Sequence, residues 1–360
     1  MHLLRSLTLP MFALLACHRG EASSPPSLAT PAGETQAQPQ RPVPKARPAS
    51  SPADGGGMDA RLPLLETLPQ ASHSTSLGSP TNGRVQGAVP LPSSGPGFRF
   101  NDRRDTNARF ATAEVVRAIV RAAAAVEREL PGSELVVNDL GLPEGGRIAH
   151  HGSHRAGRDA DILFYLLGAD DRPTPSVGAP LDPNGEGFDY KDLSDPADDV
   201  PVRFDAPRTF RFVRALLEDP EAVVQRIFVV EHLREKLLAE ATRVAAPADV
   251  VQRLSEVTCQ PGYAHDDHLH VRWYCSTEDL AQGCEDLPPT YPWRLNQLKQ
   301  AGLGPVIAKR VRSADPAPVV TEAEAKRRVE RKAPHPSVLA FLKRRESWQR
   351  QPHPGRPYCK

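Results

Sequence analysis

The sequence predicts an α+β fold: one domain carried between two extended appendages. Three observations point there. Helical and extended hydrophobic patterns alternate through the middle of the chain without a regular βαβ repeat. The 38 prolines avoid that middle, with 14 in residues 21–100, 11 in residues 288–360 and 12 in residues 101–287. The stretch 75–287, roughly two hundred residues, is long enough to bury a hydrophobic core. The lack of a glycine period excludes a collagen-like chain. The lack of any apolar run of about eighteen residues excludes a polytopic membrane protein.

In chain order, residues 1–17 hold Arg5, an apolar stretch from Leu7 to Leu15 interrupted by Pro10, and then Leu14-Leu15-Ala16-Cys17. This segment is too short to span a bilayer and has the shape of a secretion signal. It also resembles a bacterial lipoprotein signal, which implies that Cys17 becomes the lipidated first residue of the mature protein and holds it to a membrane. An ordinary signal peptide cleaved nearby is the alternative. Residues 18–74 read as a tether, with eight prolines between 21 and 60, the triplet Gly55-Gly56-Gly57, and no periodic apolar face to offset the entropy of ordering. Pro-rich chains are semi-rigid and hold a domain away from a surface.

Within the core, Val116, Ile119, Val120, Ala123, Val126 and Leu130 recur at helical spacing until Pro131-Gly132 stops the pattern. Glu134 to Asn138 reads as a strand. Asp161 to Leu166 reads as a second, nearly continuous in apolar residues. Helices are expected over 207–217 and 231–244, around a strand from Arg226 to Val230, and His268 to Tyr274 alternates as a strand should. Residues 168–206, rich in Pro, Asp and Gly, read as a long loop of the kind that is often functional.

Residues 288–360 form a basic extension. The net charge of +1 hides 16 Lys and Arg against 5 Asp and Glu in residues 291–360, a local excess of +11 that leaves −10 for the rest. Such a segment is either a solvated tail or a surface for an anionic partner. Export also bears on the cysteines. With Cys17 set aside, Cys259, Cys275, Cys284 and Cys359 remain, an even number in an oxidising compartment. Their spacing suggests a loop closed by Cys275 and Cys284 with Cys259 pairing Cys359, among the three connectivities that four cysteines allow.

Histidine is where the chemistry concentrates. Of seven His in residues 101–287, six fall in two segments, His150 to Asp161 and His265 to His270. His268 and His270 are two apart on an expected strand, so both imidazoles project from one face while Leu269 projects from the other. Two close imidazoles are better explained as neutral donors to a metal, or as one ligand beside a catalytic neighbour, than as two cations. His154 lies seven residues before Asp161, whose carboxylate opens an apolar run and needs a partner. Gly157 permits the turn that brings the two together. Two His and one Asp with a fourth position open make a hydrolytic zinc site, which acidifies a water for attack on a carbonyl. A structural zinc site or a polar surface loop is the alternative, but structural sites are usually closed by four ligands and favour Cys.

Ser153-His154-Arg155-Ala156-Gly157-Arg158-Asp159-Ala160-Asp161, followed by His265-Asp266-Asp267-His268-Leu269-His270-Val271-Arg272, resembles the penicillin-insensitive murein endopeptidase family of the LAS group of zinc peptidases. Ser76-Leu77-Gly78-Ser79, Asn82-Gly83, Gly95-Pro96-Gly97, Asp139-Leu140-Gly141-Leu142-Pro143 and Gly145-Gly146-Arg147 extend the likeness over about residues 75–287. The resemblance implies a LAS-type fold with a central antiparallel sheet and flanking helices. It also implies Zn2+ bound by His154, Asp161 and His270. His268 would sit beside the metal and stabilise an oxyanion. His265 falls where D-Ala-D-Ala carboxypeptidases carry a Glu general base, three residues before the His-x-His. His151 matches a further metal-region His that binds a second ion or lines the cleft. The family's Asp-x-x-His element is matched best by Asp205-Ala206-Pro207-Arg208, so a second site at Asp205 lacks its His. Cys275 and Cys284 fit a small disulfide loop of the family.

The implied substrate is the D-alanyl-meso-diaminopimelyl cross-link of peptidoglycan, met in the periplasm by a tethered, exported domain. No nucleic-acid partner is expected. The alternatives are a D,D-carboxypeptidase and a non-catalytic wall-binding lipoprotein.

Overall fold

The computed structural model describes residues 74–148, 151–189, 194–309 and 333–349. The signal-like segment with Cys17, the tether up to residue 73, His150 and Cys359 lie outside them. The described residues open with a hairpin of β1 (Thr75–Ser79) and β2 (Asn82–Gln86). Its turn requires glycine: Gly78 has φ 68°, and a Cβ on Gly83 would stand 2.4 Å from the Leu77 carbonyl oxygen. Four short strands follow, β3 (Val89–Pro90), β4 (Ser94–Gly95), β5 (Phe98–Phe100) and β6 (Phe110–Ala111). β3 pairs with β6 and β4 with β5.

Helix α1 (Ala113–Glu129) buries Val116, Ile119, Val120, Ala123 and Val126, the spacing read from the sequence, and ends at Leu130 before Pro131 and Gly132. β7 (Leu135–Val137) lies within the expected strand. The apolar run after it is divided between two strands, β8 (Asp159–Leu163) and β9 (Leu166–Gly168). β9 leaves the main sheet and joins β10 (Pro173–Thr174), β11 (Glu186–Phe188) and β12 (Pro201–Phe204) in the order β10-β9-β12-β11. The segment expected as a loop is thus partly a second sheet. In β12, buried Val202 and Phe204 alternate with exposed Pro201 and Arg203, a period-2 pattern too short to stand out among Pro, Asp and Gly.

Next come α2 (Ala206–Leu217), β13 (Val224–Phe228), α3 (Glu231–Arg243), α4 (Ala248–Val257), β14 (Thr258–Cys259) and β15 (His268–Trp273). α4 adds to the expected elements, and β13 starts two residues earlier than the strand read from the sequence. The described part of the C-terminal region holds α5 (Thr277–Ala281), α6 (Pro292–Gln300) and α7 (Pro336–Gln349). Cys275 and Cys284 form the expected disulfide, and Cys259 is also disulfide-bonded.

Seven strands make the main sheet in the order β14-β13-β15-β8-β7-β5-β4. Its centre is antiparallel, and the β13–β14 and β5–β7 pairs are parallel. Ala160 and Ile162 of β8 and Leu269, Val271 and Trp273 of β15 are buried in one core with Ile119 of α1, Phe212 of α2, Leu237 of α3 and Leu254 of α4. Each large apolar side chain buried there contributes about 1.5–3 kcal/mol. With one face of the central strands committed to this core, the alternate residues are left for the site.

Candidate metal centre and active site

Register assembles the centre. β15 and β8 run antiparallel with His270 opposite Asp161 and Arg272 opposite Asp159. Residues two apart in a strand share a face, so Asp159, Asp161, His268, His270 and Arg272 stand together, away from Leu269 and Ile162. His154 arrives from the loop before β8. Gly157, at φ 70°, makes that turn as the sequence requires, and its carbonyl accepts from the Thr112 amide.

Asp161 is the hub of four imidazoles. Its Oδ1 lies 3.3 Å from His154 Nε2, 3.4 Å from His270 Nδ1 and 3.5 Å from His268 Nε2, while Oδ2 is 3.5 Å from His151 Nδ1. Ligand atoms of His151, His154 and Asp161 all fall within 4.8 Å of one another. These separations are long for hydrogen bonds. His154 Nε2 and Asp161 Oδ1 are buried and complete no hydrogen bond among the described residues. Leaving such atoms unsatisfied costs about 1–3 kcal/mol each, and a shared cation would remove that cost. The donor set of imidazole nitrogen and carboxylate oxygen suits zinc.

For His154, His270 and His151 the far nitrogen fixes which lone pair faces the hub. His154 Nδ1 donates to the Leu140 carbonyl at 2.7 Å, which leaves the Nε2 lone pair toward Asp161. His270 Nε2 donates to Asp159 Oδ1 at 2.9 Å, leaving Nδ1. His151 Nε2 donates to Asp139 Oδ2 at 2.9 Å, and Asp139 is in turn held by Arg104. His268 Nδ1 donates to Asp267 Oδ1 at 2.7 Å. Asp159 does double duty: Oδ1 also accepts from Arg272 Nε at 2.7 Å, and Oδ2 accepts from the His154 amide at 3.0 Å.

Electrostatics separates the two imidazoles beside the hub. Burial and the neighbouring His268 push His265 down to about 4, so this ring is neutral near pH 7. Its Nδ1 donates to the Tyr263 carbonyl at 3.0 Å, so the basic lone pair is on Nε2. Burial also opposes charge on His268, but Asp161 and Asp267 override it and raise its pKa well above the ordinary value. Burial would likewise raise Asp159, yet Arg272 and His270 hold it well below the usual carboxylate range. Burial takes His270 down to about 3, partly against its bond to Asp159. Two of these histidines are also in left-handed backbone, His154 at φ 67° and His265 at φ 49°, conformations that a non-glycine residue keeps only where its surroundings impose them.

The structure therefore brings together His154, Asp161, His270 and His268, with His265 beside them, its ring centroid 4.8 Å from that of His268. His151 joins the cluster itself. Asp205 does not: it caps α2 by accepting from the Arg208 amide at 3.1 Å and pairs with Arg208 Nη1 at 2.7 Å. The arginine that replaces the family's histidine occupies its carboxylate. Sequence reasoning assigned no role to Asp139, Asp159 and Asp267, which orient the rings. For Asp159 a signal was present, because Asp159-Ala160-Asp161 places two carboxylates on one face of a strand.

A buried carboxylate ringed by imidazoles, each oriented by a partner on its far nitrogen, defines a candidate centre of the metal-dependent hydrolase class. Residues 76–293 match the model of the penicillin-insensitive murein endopeptidase family, and the chain belongs to that family. It is 32% identical over 241 residues to the penicillin-insensitive murein endopeptidase of Klebsiella pneumoniae subsp. pneumoniae, an alignment covering 67% of this chain and 80% of the relative. The enzyme of the same name from Pectobacterium atrosepticum is 30% identical over 232 residues, covering 64% and 75%. That from Escherichia coli K12 is 29% identical over 227 residues, covering 62% and 75%.

Proposed function

We propose that this peptidase is a zinc endopeptidase that hydrolyses the D-alanyl-meso-diaminopimelyl cross-link of peptidoglycan in the periplasm, where lipidated Cys17 holds it to a membrane. The observation that carries the reading is the convergence on Asp161 of His154 Nε2 and His270 Nδ1, each with its other nitrogen committed elsewhere. The names of the relatives support murein as substrate. Among the described residues no helix is long and apolar enough to cross a membrane.

His154, Asp161 and His270 would hold the zinc and leave its fourth position open for water, with His151 lining the cleft beside Asp161. When bound, zinc polarises a carbonyl and lowers the pKa of water toward neutrality. His265 accepts the proton of the attacking water at Nε2, because Nδ1 is committed to Tyr263. His268, charged and braced by Asp267, donates toward the oxygen on which negative charge develops. As the carbon–nitrogen bond breaks, the proton held by His265 passes to the departing amine, and the products are a D-alanyl carboxylate and a free diaminopimelyl amine. The opposite pKa displacements of His265 and His268 support this division between base and electrostatic stabiliser.

Digestion of defined cross-linked muropeptide dimers tests the reading. Release of monomers that is lost in His154→Ala or His270→Ala supports it. Release of terminal D-Ala alone would instead indicate a D,D-carboxypeptidase, and a metal-loaded protein that binds dimers without cutting them would be a wall-binding lipoprotein.

A further inference from the structure

We propose that Arg345 and Trp348 of α7 are positioning residues for His265 and His268. Helix α7 lies beyond residue 293, where the match to the family ends. The inference rests on the roles given above to those two histidines.

The link is Asp266. Its side chain is fully buried in the segment between the two histidines. Arg345 grips the carboxylate with two donors, Nε to Oδ2 at 2.8 Å and Nη2 to Oδ1 at 2.5 Å, and Trp348 Nε1 adds a third bond to Oδ2 at 2.9 Å. A bidentate arginine fixes the plane of a carboxylate as well as its charge. The backbone on either side is also tied down. Val230 donates its amide to the His265 carbonyl at 3.1 Å, and Leu181 donates to the Asp266 carbonyl at 2.8 Å. With the main chain held from one side and the Asp266 carboxylate from α7, the strained backbone of His265 keeps its ring on the site face. Asp267, the next residue, fixes His268 through Nδ1.

α7 is itself seated on the domain. Val338 and Phe341 are buried, the Trp348 ring packs edge-on against His232 with centroids 6.0 Å apart, and the Trp348 carbonyl accepts from Gln260 Nε2 at 3.1 Å. His232 bonds in turn to the Leu181 carbonyl at 3.0 Å, on the residue whose amide holds Asp266. An unpaired carboxylate cannot stay in this pocket without large cost. Loss of the α7 contacts therefore moves Asp266 toward water, and the histidines one residue before it and two after move with it. Catalysis is sensitive to shifts of about 1 Å, which cost on the order of a hundredfold.

The test uses the full chain with Arg345→Ala, Arg345→Lys and Trp348→Phe, read by steady-state kinetics on cross-linked muropeptides, by zinc content and by imidazole NMR of the metal-free protein. The expected result for Arg345→Ala is a kcat lower by about ten- to a hundredfold with KM within about twofold. Zinc content stays unchanged. The His265 and His268 resonances shift while those of His151 and His154 stay in place, and Arg345→Lys recovers part of kcat. Unchanged His265 and His268 resonances in a folded Arg345→Ala, or wild-type kcat, overturn the proposal. Should Arg345→Ala not fold, Trp348→Phe keeps the ring against His232, removes one hydrogen bond and is judged by the same two signs. An inactive wild type would defeat the functional reading alone, because the NMR comparison still decides whether α7 positions these rings.

Discussion

His154 Nε2 and Asp161 Oδ1 face each other at 3.3 Å inside the protein, and neither completes a hydrogen bond among the described residues. Both atoms are arranged to bind a third. Asp161→Asn keeps the shape of the side chain but removes its charge, and the expected outcome is loss of bound zinc with the fold retained, checked by metal analysis beside circular dichroism. If the metal supplies about 4 kcal/mol of transition-state stabilisation, activity falls by about a thousandfold. An Asp161→Asn protein that keeps full zinc would remove Asp161 from the ligand set.

Metal removal has a stability consequence. A ligand that binds only the folded state adds about 4 kcal/mol at a free concentration of a thousand times its Kd. For a domain of this size that corresponds to a melting temperature higher by about 8–16 °C. Chelation is expected to lower the melting temperature on that scale and zinc to restore it. Calorimetry with and without chelator checks this, and identical melts would contradict it.

Asp159 ties His270, Arg272 and the His154 amide together in a fully buried position. Asp159→Asn breaks a buried charge pair and is expected to cost about 3–5 kcal/mol. It also frees His270 to turn, lowering metal affinity by about ten- to a hundredfold. The pH dependence has a definite sign. The folded pKa is depressed by Arg272 and His270, so the stabilisation is complete above the unfolded value of about 3.9 and is lost as pH falls below it. Denaturant titrations between about pH 5 and pH 1 should show a steeper acid loss in the wild type than in Asp159→Asn. Parallel curves would refute that assignment.

The strand alternation separates stability from chemistry at adjacent residues. Leu269 is 1% exposed on the core face, so Leu269→Ala is expected to cost about 2–5 kcal/mol and leave zinc stoichiometry intact. His270→Ala is expected to lose the zinc while melting near the chelated wild type, so the two variants are compared with the wild type under chelator. Thermal melts and metal analysis of the two variants check the contrast, and loss of zinc in a folded Leu269→Ala would contradict it.

The sequence was most informative where one local rule acts alone. The period of Val116 to Val126 and the stop at Pro131-Gly132 predict α1 to within a few residues, and the His268-x-His270 alternation places both rings on one face. The rest depends on pairing between distant segments. That His270 stands opposite Asp161 is a matter of register, which no local pattern specifies. The strands of 168–206 are too short for their alternation to outweigh Pro and Gly. The orienting partners Leu140, Asp139 and Asp267 are bonded through single atoms, and one of those atoms is a backbone carbonyl that every residue has. The contact of α7 with Asp266 joins residues about eighty apart across a basic segment whose composition fits a solvated tail equally well.

The measurement closest to the central claim is zinc content and dimer cleavage determined on the same preparations of wild type and His154→Ala. The expected result is about one zinc per wild-type chain and conversion of cross-linked dimers to monomers, with both lost in a folded His154→Ala. A folded His154→Ala that still cleaves dimers at the wild-type rate would contradict it.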